Sequence, residues 1–171
     1  VITGVNTLFN GLLHTPGFDE LDFSSLKLTG GGGTTIQEAI SNKWREVTGQ
    51  HITEGYGLSE TSPVVTFNIP GRDEFTATIG IPMPSTDVSL RGEDGQEVAQ
   101  GEPGELCVKG PQVMVGYWRQ EGETAAVTTP DGYFRTGDVG ILTEDGRFKI
   151  VDRIKDMILV SGFNVFPNEI E

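Results

Sequence analysis

The 171-residue sequence predicts a chain that is α/β in its first part and β in its second: a partial layered α/β subdomain over residues 1–75, then a small β-barrel over 76–151. Three observations carry that reading. Helix-period and strand-period apolar patterns alternate in the first part. Beyond residue 76 come short alternating runs punctuated by Gly, Pro and Asp-Gly, the pattern of small barrels and sandwiches. The run VDRIKD (151–156) then breaks the β pattern with four charges in six residues. It marks residues 152–156 as a hinge and 157–171 as the start of a further, truncated unit.

In chain order, VNTLFNGLL (5–13) sets Val5, Leu8, Phe9, Leu12 and Leu13 at helical spacing, so one face packs on a core. SSLKLTG (24–30) reads as a strand leading into the glycine run 30–33. TTIQEAISNKWREVTG follows as a helix, with Thr35 and Glu38 spaced as a capping box and Gly49 as its stop. Ile36, Ala39, Ile40, Trp44 and Val47 form its apolar stripe. HIT (51–53) ends a strand, EGYGLSET (54–61) is too broken for a helix, and VVTFN (64–68) is a further strand. In the β part, TATIGIP, DVSLRGEDGQEVA, GELCVKG, VMVGYW, GYFRTGD and VGILTEDGRFKIVDR are the expected strands. Asp94-Gly95 and Asp145-Gly146 are hairpin turns.

Composition excludes several functions. The net charge of −13 argues against a nucleic-acid partner, because phosphate backbones need Lys and Arg. No apolar run approaches the ~20 residues that span a bilayer, and VITGVNTLFN lacks the basic start and apolar stretch of a signal peptide. The single cysteine, Cys107, offers no internal disulfide or metal cluster, so a reducing cytoplasm is the expected compartment. The absent initiator Met and the final FPNEIE, which looks like the opening turn of a helix, suggest a piece of a longer protein. Basic residues gather late: Arg135, Arg147, Lys149, Arg153 and Lys155 are five of the twelve.

The residues offer several chemistries, each with a plainer alternative. The run Gly30–Gly33 permits close backbone approach to a flat or charged ligand, or is a mobile turn. No Gly-Lys-Ser/Thr follows, so it is no Walker loop. In EGYGLSET, Glu60 can bind a hard cation, Ser59 or Thr61 can meet phosphate, and Tyr56 can stack on a base; a polar turn with a core tyrosine has the same composition. Asp138, just beyond a strand in YFRTGD, can accept from two ribose hydroxyls or cap a turn. Arg153 can hold ribose or phosphate, or form a surface salt bridge with Asp152 or Asp156. His14 and His51 stand apart and read as structural. Cys107 reads as core, and no nucleophile elbow is present.

Taken in order, the Gly-rich turn, YGLSET, GELCVKGPQVMVGYW, YFRTGD and DRIKDMILVSGFNVFPNEIE resemble the motif series of the adenylate-forming enzymes: acyl-CoA synthetases, peptide adenylation domains and luciferase. Within that superfamily, LFNGLL, EGYGLSET, ELCVKGPQVM-GYW and VDR-KDMILVSGFNV-PNEIE are most similar to bacterial long-chain fatty acid–CoA ligases. The resemblance covers essentially the whole chain. It implies the adenylate-forming fold and a two-step reaction. A carboxylate attacks the α-phosphate of Mg·ATP to give acyl-AMP and pyrophosphate, and coenzyme A then displaces AMP. By the same resemblance, Gly31, Gly32, Gly33, Tyr56, Gly57, Asp138 and Arg153 bind the nucleotide. Ser59, where the family more often has Thr, contacts phosphate, and Glu60 ligates Mg²⁺; these two are the expected catalytic residues. Lys155 falls at the hinge and Gly162 in the segment that forms the CoA channel.

The family's phosphate loop and its lysine-bearing C-terminal domain are not among the 171 residues, so this stretch alone is expected to be inactive. Exposed apolar surface and self-association are expected of it, and peripheral contact with the inner face of the cytoplasmic membrane is expected of the whole enzyme. Two rivals stay open. One is an adenylating relative with another acid, or with a carrier protein as acceptor. The other is a non-catalytic β-barrel binding module, in which Glu60, Asp138 and Arg153 point away from one another.

Overall fold

The computed structural model describes residues 1–71 and 74–154, together with the backbone of residues 158–160 and 163–165. Strands β1 (Ile2–Gly4), β2 (Thr29–Gly31) and β3 (Thr53–Gly57) run parallel and are separated by helices α1 (Asn6–Leu13) and α2 (Glu38–Thr48). The chain then reverses through β4 (Val64–Phe67) and β5 (Ile81–Pro82), both antiparallel, giving the sheet order β1-β2-β3-β4-β5. The helices bury Phe9, Phe18, Ile36, Trp44 and Ile52 as one apolar cluster. Trp44 organises it. Its ring meets Phe9 edge-on at 4.9 Å between centroids, and its indole N–H donates to Thr29 Oγ1 at 3.1 Å, locking α2 to β2.

The sequence places both helices correctly and errs at their details. Val5 and Leu8 of the expected α1 stripe are exposed, leaving Phe9 as its buried residue. The capping box is absent: α2 starts two residues late, after Gln37, with no side-chain cap, while Gly49 ends it in the left-handed conformation. The expected strand at 24–30 forms only at Thr29–Gly31, so two residues of the glycine run lie inside β2.

The second unit contains β6 (Asp87–Arg91), β7 (Gly104–Lys109), β8 (Phe134–Leu142) and β9 (Phe148–Arg153), an antiparallel meander in that order. Among the described residues it stays an open sheet where a barrel is expected. The free edge of β9 is used elsewhere: Phe148 N–H donates to Gly80 O and Ile79 N–H to Phe148 O, both at 2.8 Å, which joins it to the first sheet. Leu90, Leu106 and Phe148 form its core, and Tyr56 packs against them from β3. Both Asp-Gly pairs make the expected turns, with Gly95 and Gly146 at φ 77° and 78°.

VMVGYW is not a strand. Residues 111–118 form an irregular segment leading into a six-residue helix, α3 (Glu121–Ala126), which the sequence does not announce. YFRTGD and VGIL, expected as two strands, are one. Gly137 is carried through at φ 76° with its N–H bonded to Glu105 Oε1 at 3.1 Å, opposite a register shift in β7. Two further strands, β10 (Ile158–Val160) and β11 (Phe163–Val165), pair antiparallel. No helix among the described residues is long and apolar enough to cross a membrane.

Candidate functional site

Strand β3 leaves the first sheet pointing at the second, and the two sheets meet beside it. The cleft between them, of about 710 Å³, is walled by Gly31 and Gly33, by Tyr56 to Glu60, by Ala77 to Ile79, and by Asp138, Ile150, Asp152 and Arg153. Glu60, Asp138 and Arg153 therefore face one space together with Tyr56 and the glycines. This is the arrangement that separates the nucleotide reading from the binding-module reading.

Tyr56 is the hub of the site. Its ring packs on the second core, while its hydroxyl donates to Asp138 Oδ2 at 2.6 Å, across 82 positions of sequence. Burial, reinforced by that carboxylate, pushes the phenol far above its ordinary range, so it stays a donor. Asp138 is buried and sits within β8, opposite Arg153 of β9, rather than beyond a strand end. Arg153 Nε lies 3.1 Å from Asp138 Oδ1, a salt bridge to its neighbour across the strand pair; Asp156, one of the expected surface partners, lies outside the described residues. The Arg153 main-chain N–H takes Asp152 Oδ1 at 2.7 Å. An ionised carboxylate has about four lone-pair positions. Tyr56 and Arg153 take one each on different oxygens, so two remain for vicinal hydroxyls of a ligand.

The turn after β3 is a single 3₁₀ turn, Ser59–Thr61. Ser59 is exposed at the cleft wall. Thr61, offered by composition as a second phosphate contact, is fully buried, and its hydroxyl bonds Pro63 O at 2.6 Å. Glu60 is held from two sides by the segment before α3: Tyr117 OH donates to its Oε1 at 2.9 Å and Met114 N–H to its carbonyl at 2.7 Å. Among the described residues no three His, Cys, Asp or Glu side chains gather into a metal cage. One carboxylate on an open wall, beside a hydroxyl, still fits Mg²⁺, which binds through one or two carboxylates and fills its shell with waters and phosphate oxygens.

Two features escape a motif reading. Glu54, inside EGYGLSET, is buried beside the cleft, and burial pushes its carboxyl up to about 7. Asn68, also buried, donates from Nδ2 to Thr78 O at 2.6 Å and accepts from Thr78 Oγ1 at 3.0 Å, which pins the Thr76–Ile79 wall. Both would need the β3–β4 pairing to be known beforehand. Gly32 is not on the cleft wall; an added Cβ there would lie 2.8 Å from Gly55 O, so this position serves the packing of β2 on β3. Lys155 and Gly162 lie outside the described residues. His14 and His51 make structural contacts, to Asn10 O at 2.7 Å and Ser41 Oγ at 3.2 Å. Cys107 is buried, its thiol pushed up to about 11 by burial, an inert core residue.

A mixed sheet with crossover helices, a second sheet bridged to it through β9, and a polar cleft at their junction match the adenylate-forming architecture of solved enzymes. ATP-bound MatB from Rhodopseudomonas palustris superposes with a TM-score of 0.86 at 34% identity, over 99% of this chain and 34% of that one. The chain belongs to the AMP-binding enzyme family, whose model matches residues 1–118. It is 56% identical over 170 residues to a long-chain-fatty-acid–CoA ligase of Yersinia pestis, covering 99% of this chain. To a feruloyl-CoA synthase of Amycolatopsis it is 37% identical over 172 residues, covering 100% of this chain and 35% of the relative. The chain spans about 30% of the length of the long-chain ligase.

Proposed function

We propose that the whole protein is an ATP-dependent long-chain fatty acid–CoA ligase, and that these residues supply the floor of its nucleotide site. The observation that carries the reading is the single cleft shared by Tyr56, Glu60, Asp138 and Arg153. Adenine lies against the Tyr56 ring between Gly31 and Gly33, and the ribose hydroxyls donate to the free lone pairs of Asp138. Arg153 spans ribose and phosphate. Ser59 donates to a phosphate oxygen, and Glu60 gives its carboxylate to Mg²⁺, which, when bound, neutralises charge on the phosphates.

A carboxylate is a poor acyl donor until its oxygen carries a good leaving group. In the first step the fatty-acid oxygen attacks the α-phosphorus, the bond to the bridging oxygen breaks, and pyrophosphate departs. In the second, the coenzyme A sulfur attacks the acyl carbon and AMP leaves with the C–O electron pair, the thiol proton passing to solvent. The chain's part is positional and electrostatic: it holds the nucleotide still and meets charge where it grows. Lys155 as hinge and Gly162 in the thiol channel belong to the same proposal, as does a cytoplasmic site of action with peripheral access to the membrane.

The choice of acid is supported by relatedness, 56% identity to a long-chain ligase against 37% to a feruloyl synthase. ATP–pyrophosphate exchange by the whole protein, run against a panel of short, long and aromatic acids, tests it. Exchange confined to aromatic or short acids sinks the long-chain assignment; no exchange with any acid sinks the adenylation itself. The 171 residues alone are expected to form no acyl-CoA.

A further inference from the structure

Glu60 carries a cation role under the proposal above, yet it stands on a short turn, partly exposed, where a free carboxylate would sample several rotamers. A second element restrains it. Tyr117 OH reaches Oε1 at 2.9 Å, and Met114 N–H takes the Glu60 carbonyl at 2.7 Å. Among the described residues Oε2 has no protein donor. Tyr117 is itself tied down: its main-chain N–H donates to Thr124 Oγ1 at 2.9 Å, and that hydroxyl donates to Gln120 O at 2.9 Å. Gly116 fits because it has no side chain; a Cβ there would lie 2.8 Å from Thr124 Cγ2. A continuous path of contacts thus runs from α3 through Thr124 and Tyr117 to the Glu60 carboxylate.

We propose that Tyr117 is a positioning residue that fixes Glu60 for one-oxygen coordination of the divalent cation through Oε2. This rests on the cation role of Glu60 given above. The phenol donates to one carboxylate oxygen and so competes with a cation for it. The cation then meets a single, oriented oxygen and keeps its remaining positions for phosphate and water, as a rigid octahedral ion requires. Restraint before binding removes an ordering cost that the bound state would otherwise carry.

The test measures Mn²⁺ binding in the presence of saturating ATP, by electron paramagnetic resonance on the whole protein. Wild type, Tyr117→Phe, Glu60→Gln and the double variant are compared, with metal-free ATP affinity as a second readout. Tyr117→Phe is expected to weaken Mn²⁺ about tenfold, to leave metal-free ATP affinity unchanged, and to add nothing once Glu60 is Gln. If Glu60→Gln weakens Mn²⁺ while Tyr117→Phe stays within about twofold of wild type, positioning by Tyr117 is overturned and the cation role survives. An equal loss from Tyr117→Phe in both backgrounds also overturns it, as a structural effect. Wild-type affinity in Glu60→Gln removes the cation role and the inference together. In unmodified protein carrying ¹³C-labelled glutamate, difference infrared spectra on Mn²⁺ addition should show the wide splitting of a monodentate carboxylate; a bidentate signature overturns the proposal even if Tyr117→Phe does not fold.

Discussion

Glu54 and Tyr56, two residues apart on β3, show how burial sets the chemistry of single groups. Glu54 has its carboxyl pushed from the ordinary 4.5 to about 7 by burial, so the fold favours its protonated form. Its contribution to stability is full below the unfolded value and is lost as pH rises through about 7. Unfolding free energy should fall by roughly 1–3 kcal/mol across that window, and Glu54→Gln should flatten the slope; urea titrations at several pH values read this directly. Tyr56 poses a different question, because its hydroxyl holds a buried carboxylate. Tyr56→Phe should cost about 1.5–3 kcal/mol and weaken ATP binding, since Asp138 loses the donor that orients it. Calorimetric titration with ATP checks the second effect, and unchanged affinity would separate Asp138 from the ribose.

Elements in this chain are limited by close backbone approach more than by propensity. Strand β3 turns into β4 so tightly that a Cβ at Gly57 would sit 1.8 Å from Pro63 O, at a register shift between Tyr56 and Gly57. A backbone oxygen cannot rotate away, so Gly57→Ala should destabilise by about 3 kcal/mol or more. Gly11 in α1 is the opposite case. An added Cβ meets nothing within 4 Å, and Gly11→Ala should gain roughly 0.5–1 kcal/mol from helix propensity. Thermal melts of the two variants should move in opposite directions.

At the scale of the molecule, the cleft exists because two sheets meet along β3 and β9. Beside the Tyr56–Asp138 contact, β9 meets the first sheet through the Gly80–Phe148 backbone bridge, and Gly80 takes φ 88° with an added Cβ only 2.2 Å from Phe67 C. Gly80→Ala should open this joint while leaving each local core intact. Denaturation followed by Trp44 fluorescence in a Trp118→Phe background, for the first core, and by amide exchange of β7, for the second, should then separate into two transitions. Coincident transitions at wild-type stability would mean that the Tyr56–Asp138 contact holds the sheets together without the bridge.

Much of this was written in the sequence. Period and turn chemistry gave both helices, most strands and both Asp-Gly hairpins, because those depend on neighbours a few residues apart. The order of YGLSET, YFRTGD and the VDR segment pointed to the proposed nucleotide residues by resemblance, although no single motif among them distinguishes a site from a loop. Other features depend on contacts the chain makes far from itself. Whether Tyr56 stacks freely or holds Asp138, whether Arg153 pairs with Asp138, and whether VMVGYW is a strand or a strap over Glu60 were each settled by partners 15 to 82 residues away. Side-chain identity fixes what a group is able to do; only the packing of one sheet against the other decides which groups share a cleft and which protons and charges burial leaves on them.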